Sequence, residues 1–83
     1  MVFFIPQSGV RKTGFTATKK VGNAVKRNRA KRVMRALFIK YSELLRDGRY
    51  VFVAKTDINT LPFHVVETHF KKTLQRANAL KKN

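Results

Sequence analysis

Between Ala30 and Leu45 the apolar residues Ala30, Val33, Met34, Leu37, Phe38, Tyr41, Leu44 and Leu45 recur with a helical period, as expected of a helix that buries one stripe. The spacing predicts a helix that begins around Gly22-Asn23 and ends at Asp47-Gly48. Ahead of it, Val2-Phe3-Phe4-Ile5 is a β-prone run closed by the turn cluster Pro6-Gln7-Ser8-Gly9. A hairpin is predicted, its second arm running through Thr13-Gly14-Phe15-Thr16-Ala17-Thr18 with Phe15 and Ala17 on one face. Tyr50-Val51-Phe52-Val53-Ala54 is continuously apolar, the character of a buried central strand. After Thr56-Asp57-Ile58-Asn59, Thr60 is a suitable N-cap and Pro62 fits the first turn of a second helix. That helix carries the stripe Phe63, Val66, Phe70, Leu74, Ala77 and Leu80, with Lys71, Lys72, Arg76, Lys81 and Lys82 toward its C-terminal half. The order strand, strand, helix, strand, helix predicts an α+β fold: a small sheet of three or more strands, a central basic helix and a C-terminal helix.

With 83 residues the chain fits one domain, residues 1–83, too small to enclose a deep active-site cavity of its own. Nineteen Lys and Arg against four Asp and Glu give a formal charge of +15. Self-repulsion of that size is tolerated when a polyanion neutralises it, so nucleic acid is the expected partner. The absence of cysteine removes disulfides and thiolate zinc sites as sources of stability. A hydrophobic fraction of 43% is high enough for a packed core rather than a disordered tail. The sequence has neither a membrane-length apolar run nor a secretory signal, and the expected location is the cytoplasm, with no membrane partner.

The basic residues are patterned. Asn28, Lys31, Arg32 and Arg35 recur at i, i+3, i+4 and i+7 and share the helix face opposite the apolar stripe. Arg29 flanks this arc, and Lys26 and Arg27 lie near the helix entrance. No acid lies between residues 19 and 42 to relieve the repulsion, so the relief is expected from outside: Arg forks hold phosphates bidentately, Lys acts as a point charge, and Asn donates to phosphate or sugar. The groups suited to acid–base or metal-assisted hydrolysis, Glu43, Asp47, Asp57, Glu67, His64 and His69, are few and scattered, so neither a catalytic site nor a metal site is expected on this chain. A ribosomal or DNA-binding protein would share the charge and the Arg-rich helix. A helix-turn-helix, however, needs a short helix directly before the basic one, where a strand ending in Lys19-Lys20 is predicted.

The segment Lys19-Lys20-Val21-Gly22-Asn23-Ala24-Val25-Lys26-Arg27-Asn28-Arg29-Ala30-Lys31-Arg32-Val33-Met34-Arg35 closely resembles the signature of the bacterial ribonuclease P protein family. Gly14-Phe15-Thr16-Ala17-Thr18 resembles the strand before that signature, and Tyr50-Val51-Phe52-Val53-Ala54-Lys55 its later strand. The resemblance implies a sandwich like one domain of a ribosomal protein, with a left-handed crossover around the motif helix, against the usual hand. It implies a non-catalytic subunit of a ribonucleoprotein endonuclease, in which magnesium on the RNA subunit supports hydrolysis and the 5′ leader of precursor tRNA is removed. By the resemblance, Lys26, Arg27, Asn28, Arg29, Lys31, Arg32 and Arg35 contact the catalytic RNA, and Lys19, Lys20 and Asn23 support them at the helix entrance. Phe3, Phe15 and Tyr50 are candidates for a sheet face that takes the leader, each competing with a place in the core. Two departures stand out. The family's additional N-terminal helix, which walls the leader cleft, is expected to be missing, and a sheet face left uncovered would be expected to promote self-association; and Ala36 stands where the family commonly has an acid.

Overall fold

A computed structural model describes residues 2–54, 56 and 58–81; Lys55, Asp57 and Lys82, named above, lie outside the described residues. The elements are β1 (Val2–Pro6), β2 (Arg11–Ala17), α1 (Ala24–Tyr41), β3 (Gly48–Ala54) and α2 (Phe63–Arg76), with one-turn 3-10 helices at Lys19–Val21 and Ser42–Leu44.

The predicted hairpin does not form. The sheet order is β1-β3-β2, so β3 separates the two strands expected to pair, lying antiparallel to β1 and parallel to β2. The turn after Pro6 wraps around the start of β3 instead of closing a hairpin. The Gln7 N–H donates to the Asp47 carbonyl (3.2 Å) and the Gly48 N–H to the Val10 carbonyl (2.6 Å). Sequence proximity favours the short pairing, but β3 is the most buried strand and gains a partner on each side by taking the centre, where the backbone groups on both of its edges are satisfied. The chain passes from β2 to its parallel neighbour β3 through α1, a crossover that requires the helix.

The core lies on one face of this sheet. Tyr50, Phe52 and Ala54 of β3 meet Ala30, Met34, Leu37 and Phe38 of α1 and Val66, Phe70 and Leu74 of α2, closed at the margins by Val21, Leu45 and Ala79. Phe52 is the hub: its ring stacks on Phe15 at 5.4 Å and on Phe70 at 5.2 Å and receives the edge of Phe38 at 5.6 Å. Such aromatic pairs add about 0.5–1.5 kcal/mol each beyond burial of their area. β3 is buried on this face only, since Arg49 and Val51 are exposed on the other. Its unbroken apolar run therefore overstated its burial.

The strand before α1 ends at Ala17 rather than in Lys19-Lys20, which open a 3-10 turn, and three helix boundaries also differ from expectation. α1 ends at Tyr41 rather than near Asp47, because Ser42–Leu44 tighten into a 3-10 turn and send Leu45 inward to bridge Leu80, while Leu44 remains 57% exposed. The N-cap of α2 is Pro62 rather than Thr60. Leu80 lies beyond α2, since Asn78, at φ 59°, turns the chain back. Helical spacing continued by chance through both ends, and only the tertiary packing shows where each helix stops.

Candidate nucleic-acid interface

The site is built at the junction of β2 and α1. Burial of Val21 in the 3-10 turn directs Lys19 and Lys20 outward. Gly22, at φ 137°, redirects the chain, and Asn23 caps α1 by accepting the Lys26 N–H at 3.0 Å. The Nδ2 of Asn59 donates to the Lys26 carbonyl at 2.8 Å and so pins the approach to α2 against the first turn of α1. Among the predicted contacts, Asn23 thus has its side-chain oxygen committed to the cap.

Along α1 the burial alternates as the pattern predicts. Ala30, Met34, Leu37 and Phe38 are buried, and Lys26, Asn28, Arg29, Arg32 and Arg35 are exposed. Arg27 and Lys31 are half-buried, placed toward the flanks where the helix meets the body. The structure therefore brings Asn28, Arg32 and Arg35 together on the outer face with Lys31 at its margin, and puts Arg29 on the opposite shoulder. The Arg35 guanidinium lies 5.5 Å from the centroid of the Phe15 ring, a cation–π contact that anchors its stem against β2. Among the described residues the ion pairs are Arg11–Asp47 and Lys40–Glu67, and neither reaches a basic residue between 19 and 35. The face is an array of donors with no internal acceptor, suited to phosphate oxygens.

The leader-face candidates divide. Tyr50 is 1% exposed and its hydroxyl donates to the Arg46 carbonyl; burial raises its pKa, and it belongs to the core. Phe15 is half-buried between Phe52 and Phe38 on the same helix-covered face. Tyr50 is therefore taken by the core and Phe15 packs beside it, because their strand positions face the helices. Phe3 alone stands on the open face, 57% exposed. The registers Phe3↔Val51, Ile5↔Arg49, Lys12↔Arg49 and Gly14↔Val51 place Ile5, Val51, Gly14, Lys12 and Arg49 beside it. Period-two alternation could have found these positions within each strand, but their assembly required the strand order.

Among the described residues no three of His, Asp and Glu come together, and Glu67 is held by Lys40 at 2.7 Å and by the Tyr41 hydroxyl. No described helix is long and apolar enough to cross a membrane.

The family model described as Ribonuclease P matches residues 1–78. A relative from a Nitratiruptor species, named ribonuclease P protein component, is 50% identical over 76 residues, covering 92% of this chain and 69% of its own length. One of the same name from Helicobacter acinonychis is 46% identical over 61 residues, 74% of this chain but only 40% of its own. Among solved structures, the RNase P protein of Staphylococcus aureus superposes with a TM-score of 0.82 at 21% identity, covering 96% of this chain and 75% of that one. That of Thermotoga maritima does so with 0.77 at 22% identity, covering 90% and 74%. At such identities the likeness shows the fold, which is the α+β arrangement described above. From the family match and the sequence relatives, this chain belongs to the ribonuclease P protein family.

Proposed function

We propose that the chain serves as the protein subunit of a ribonucleoprotein endonuclease that matures the 5′ end of tRNA in the cytoplasm, binding the catalytic RNA through α1 and the 5′ leader of precursor tRNA across the open sheet face. The observation that carries this reading is the outer face of α1, where Asn28, Arg32 and Arg35 are exposed and no carboxylate among the described residues pairs with them. Arg29, Lys26, Lys31 and Arg27, together with Lys19 and Lys20, widen the footprint toward the helix entrance. The RNA holds the magnesium and performs the hydrolysis; the protein neutralises phosphates and positions the leader.

On the open face, Phe3 supplies a ring on which a base can stack, worth about 1–3 kcal/mol, and Lys12 and Arg49 offer charge to the leader backbone. Gly14 leaves open space beside Val51, since a Cβ there would meet nothing within 4 Å. The same face, with Ile5 64% and Val51 42% exposed, supports pairing of two copies when no RNA covers it.

The test is reconstitution with the RNA subunit at low magnesium. Leader removal should be stimulated by the protein, and the protein alone should cleave nothing. A general structured-RNA binder would bind the RNA without stimulating cleavage. Replacing Arg29, Arg32 and Arg35 together should lower the slope of log affinity against log salt by about 0.9 per lost phosphate contact.

A further inference from the structure

α2 presents a second basic surface that the α1 motif does not account for. Val66, Phe70 and Leu74 face the core, which leaves Lys71, Lys72, Gln75 and Arg76 exposed on the opposite flank. Lys72 and Arg76, like Lys71 and Gln75, are four residues apart and therefore neighbours on the helix surface. The one acid of α2, Glu67, is drawn off this flank into the seam with α1, where it accepts hydrogen bonds from Lys40 and the Tyr41 hydroxyl. The Lys71 ammonium stands 5.7 Å from the centroid of the Tyr41 ring, as does that of Lys40. The flank therefore begins at an anchored lysine, and no described carboxylate forms an ion pair with Lys71, Lys72 or Arg76.

The simplest explanation of cations near the end of a helix is its dipole, which favours them within the last turn. That accounts for Arg76, the basic residue of the last turn, but not for Lys71 and Lys72 a turn earlier. The flank is also separate from the motif face: Arg35 leans over Phe15 of β2, whereas Lys40 reaches across to α2, so the two basic surfaces lie on different sides of α1.

The chemistry of the flank narrows its partner. The apolar stripe of α2 is occupied by the core, so nothing remains to enter a lipid surface. No aromatic ring is exposed between Lys71 and Arg76, so there is no platform for an unstacked base. What remains is recognition of phosphates on a polyanion whose bases are turned inward. We propose that Lys71, Lys72 and Arg76 form a second contact surface for the phosphate backbone of a double-helical RNA segment. This rests on the preceding reading only for the identity of the polyanion as RNA.

The experiment measures salt-dependent binding of the full chain to a transcript of the catalytic RNA subunit and to a plain RNA duplex of about 16 base pairs, the span a double-strand reader covers. Three proteins are compared: wild type, Lys71→Gln/Lys72→Gln/Arg76→Gln, and Arg32→Gln/Arg35→Gln, each checked for folding by circular dichroism. The α2 variant should lower the log–log salt slope by about two to three on both RNAs. An unchanged slope with a folded variant overturns the proposal. If only the α1 variant loses transcript binding, the proposed function stands and the α2 surface falls; if only the α2 variant does, the reverse holds. In parallel titrations with anionic phospholipid vesicles and with a single-stranded RNA of the same length, a loss in the α2 variant that is confined to the vesicles, or larger on the single strand than on the duplex, would also overturn it.

Discussion

Gly48 opens β3 at φ 154°, and a Cβ at that position would come within 2.3 Å of the Ile5 carbonyl oxygen. It lies where the connection from β1 to β2 passes over the start of the central strand, so both the backbone conformation and the space require glycine. Gly48→Ala should destabilise the fold by more than about 1 kcal/mol, read as a lower urea midpoint, and an unaltered midpoint would contradict the described sheet order. Leu37, fully buried between α1 and the sheet, is a second test: Leu37→Ala should cost about 2–5 kcal/mol, whereas Ile39→Ala, on a side chain 66% exposed, should change stability little. The sequence pointed to Leu37 directly, through its place in the helical stripe. It marked Gly48 only as the end of a helix, because the close approach to Ile5 is made by residues far away in the chain.

At the scale of elements, α1 and α2 are joined by a polar seam as well as by the core. The hydrogen bonds from Lys40 and Tyr41 hold the Glu67 carboxyl below the usual carboxylate range, and those same bonds raise the pKa of Lys40 and of Tyr41. For Glu67 the folded pKa is depressed, so its contribution is present above the unfolded value, about 4.3, and disappears as pH falls through the folded pKa. Lys40 and Tyr41 have raised folded values, so their contributions are present at neutral pH and fade only on the alkaline side. Glu67→Gln should therefore reduce stability at pH 6 to 7, with the gap to wild type closing as the solution is acidified below about pH 4. A pH-independent gap would show that the seam acts through packing alone. None of this was legible in the sequence, where Glu67 was one of a few scattered acids and Lys40, 27 residues away, gave no sign of being its partner.

Across the whole molecule, a formal charge of +15 is set against only two ion pairs among the described residues. Self-repulsion is then a general destabilising term that salt screens. The thermal midpoint should rise by several degrees between about 10 mM and 150 mM salt, since about 1 kcal/mol corresponds to 4–8 °C in a domain of this size. A midpoint that falls with salt would mean that local ion pairs outweigh the net charge. Binding to RNA should respond in the opposite direction, weakening as salt rises, so folding and function report the same charge with opposite signs.

Periodicity and charge were sufficient to define the class of fold, the basic outer face of α1 with Asn28, Arg32 and Arg35, and the start of α1 near Asn23, because each depends on residues within a few turns of one another. Tertiary structure decided which strand takes the centre of the sheet, where α1 stops, and that Phe15 and Tyr50 pack inward while Phe3 faces out. Those outcomes depend on pairing between distant segments. A strand's two faces are equivalent until the helices cover one of them, and no local pattern says which face that will be.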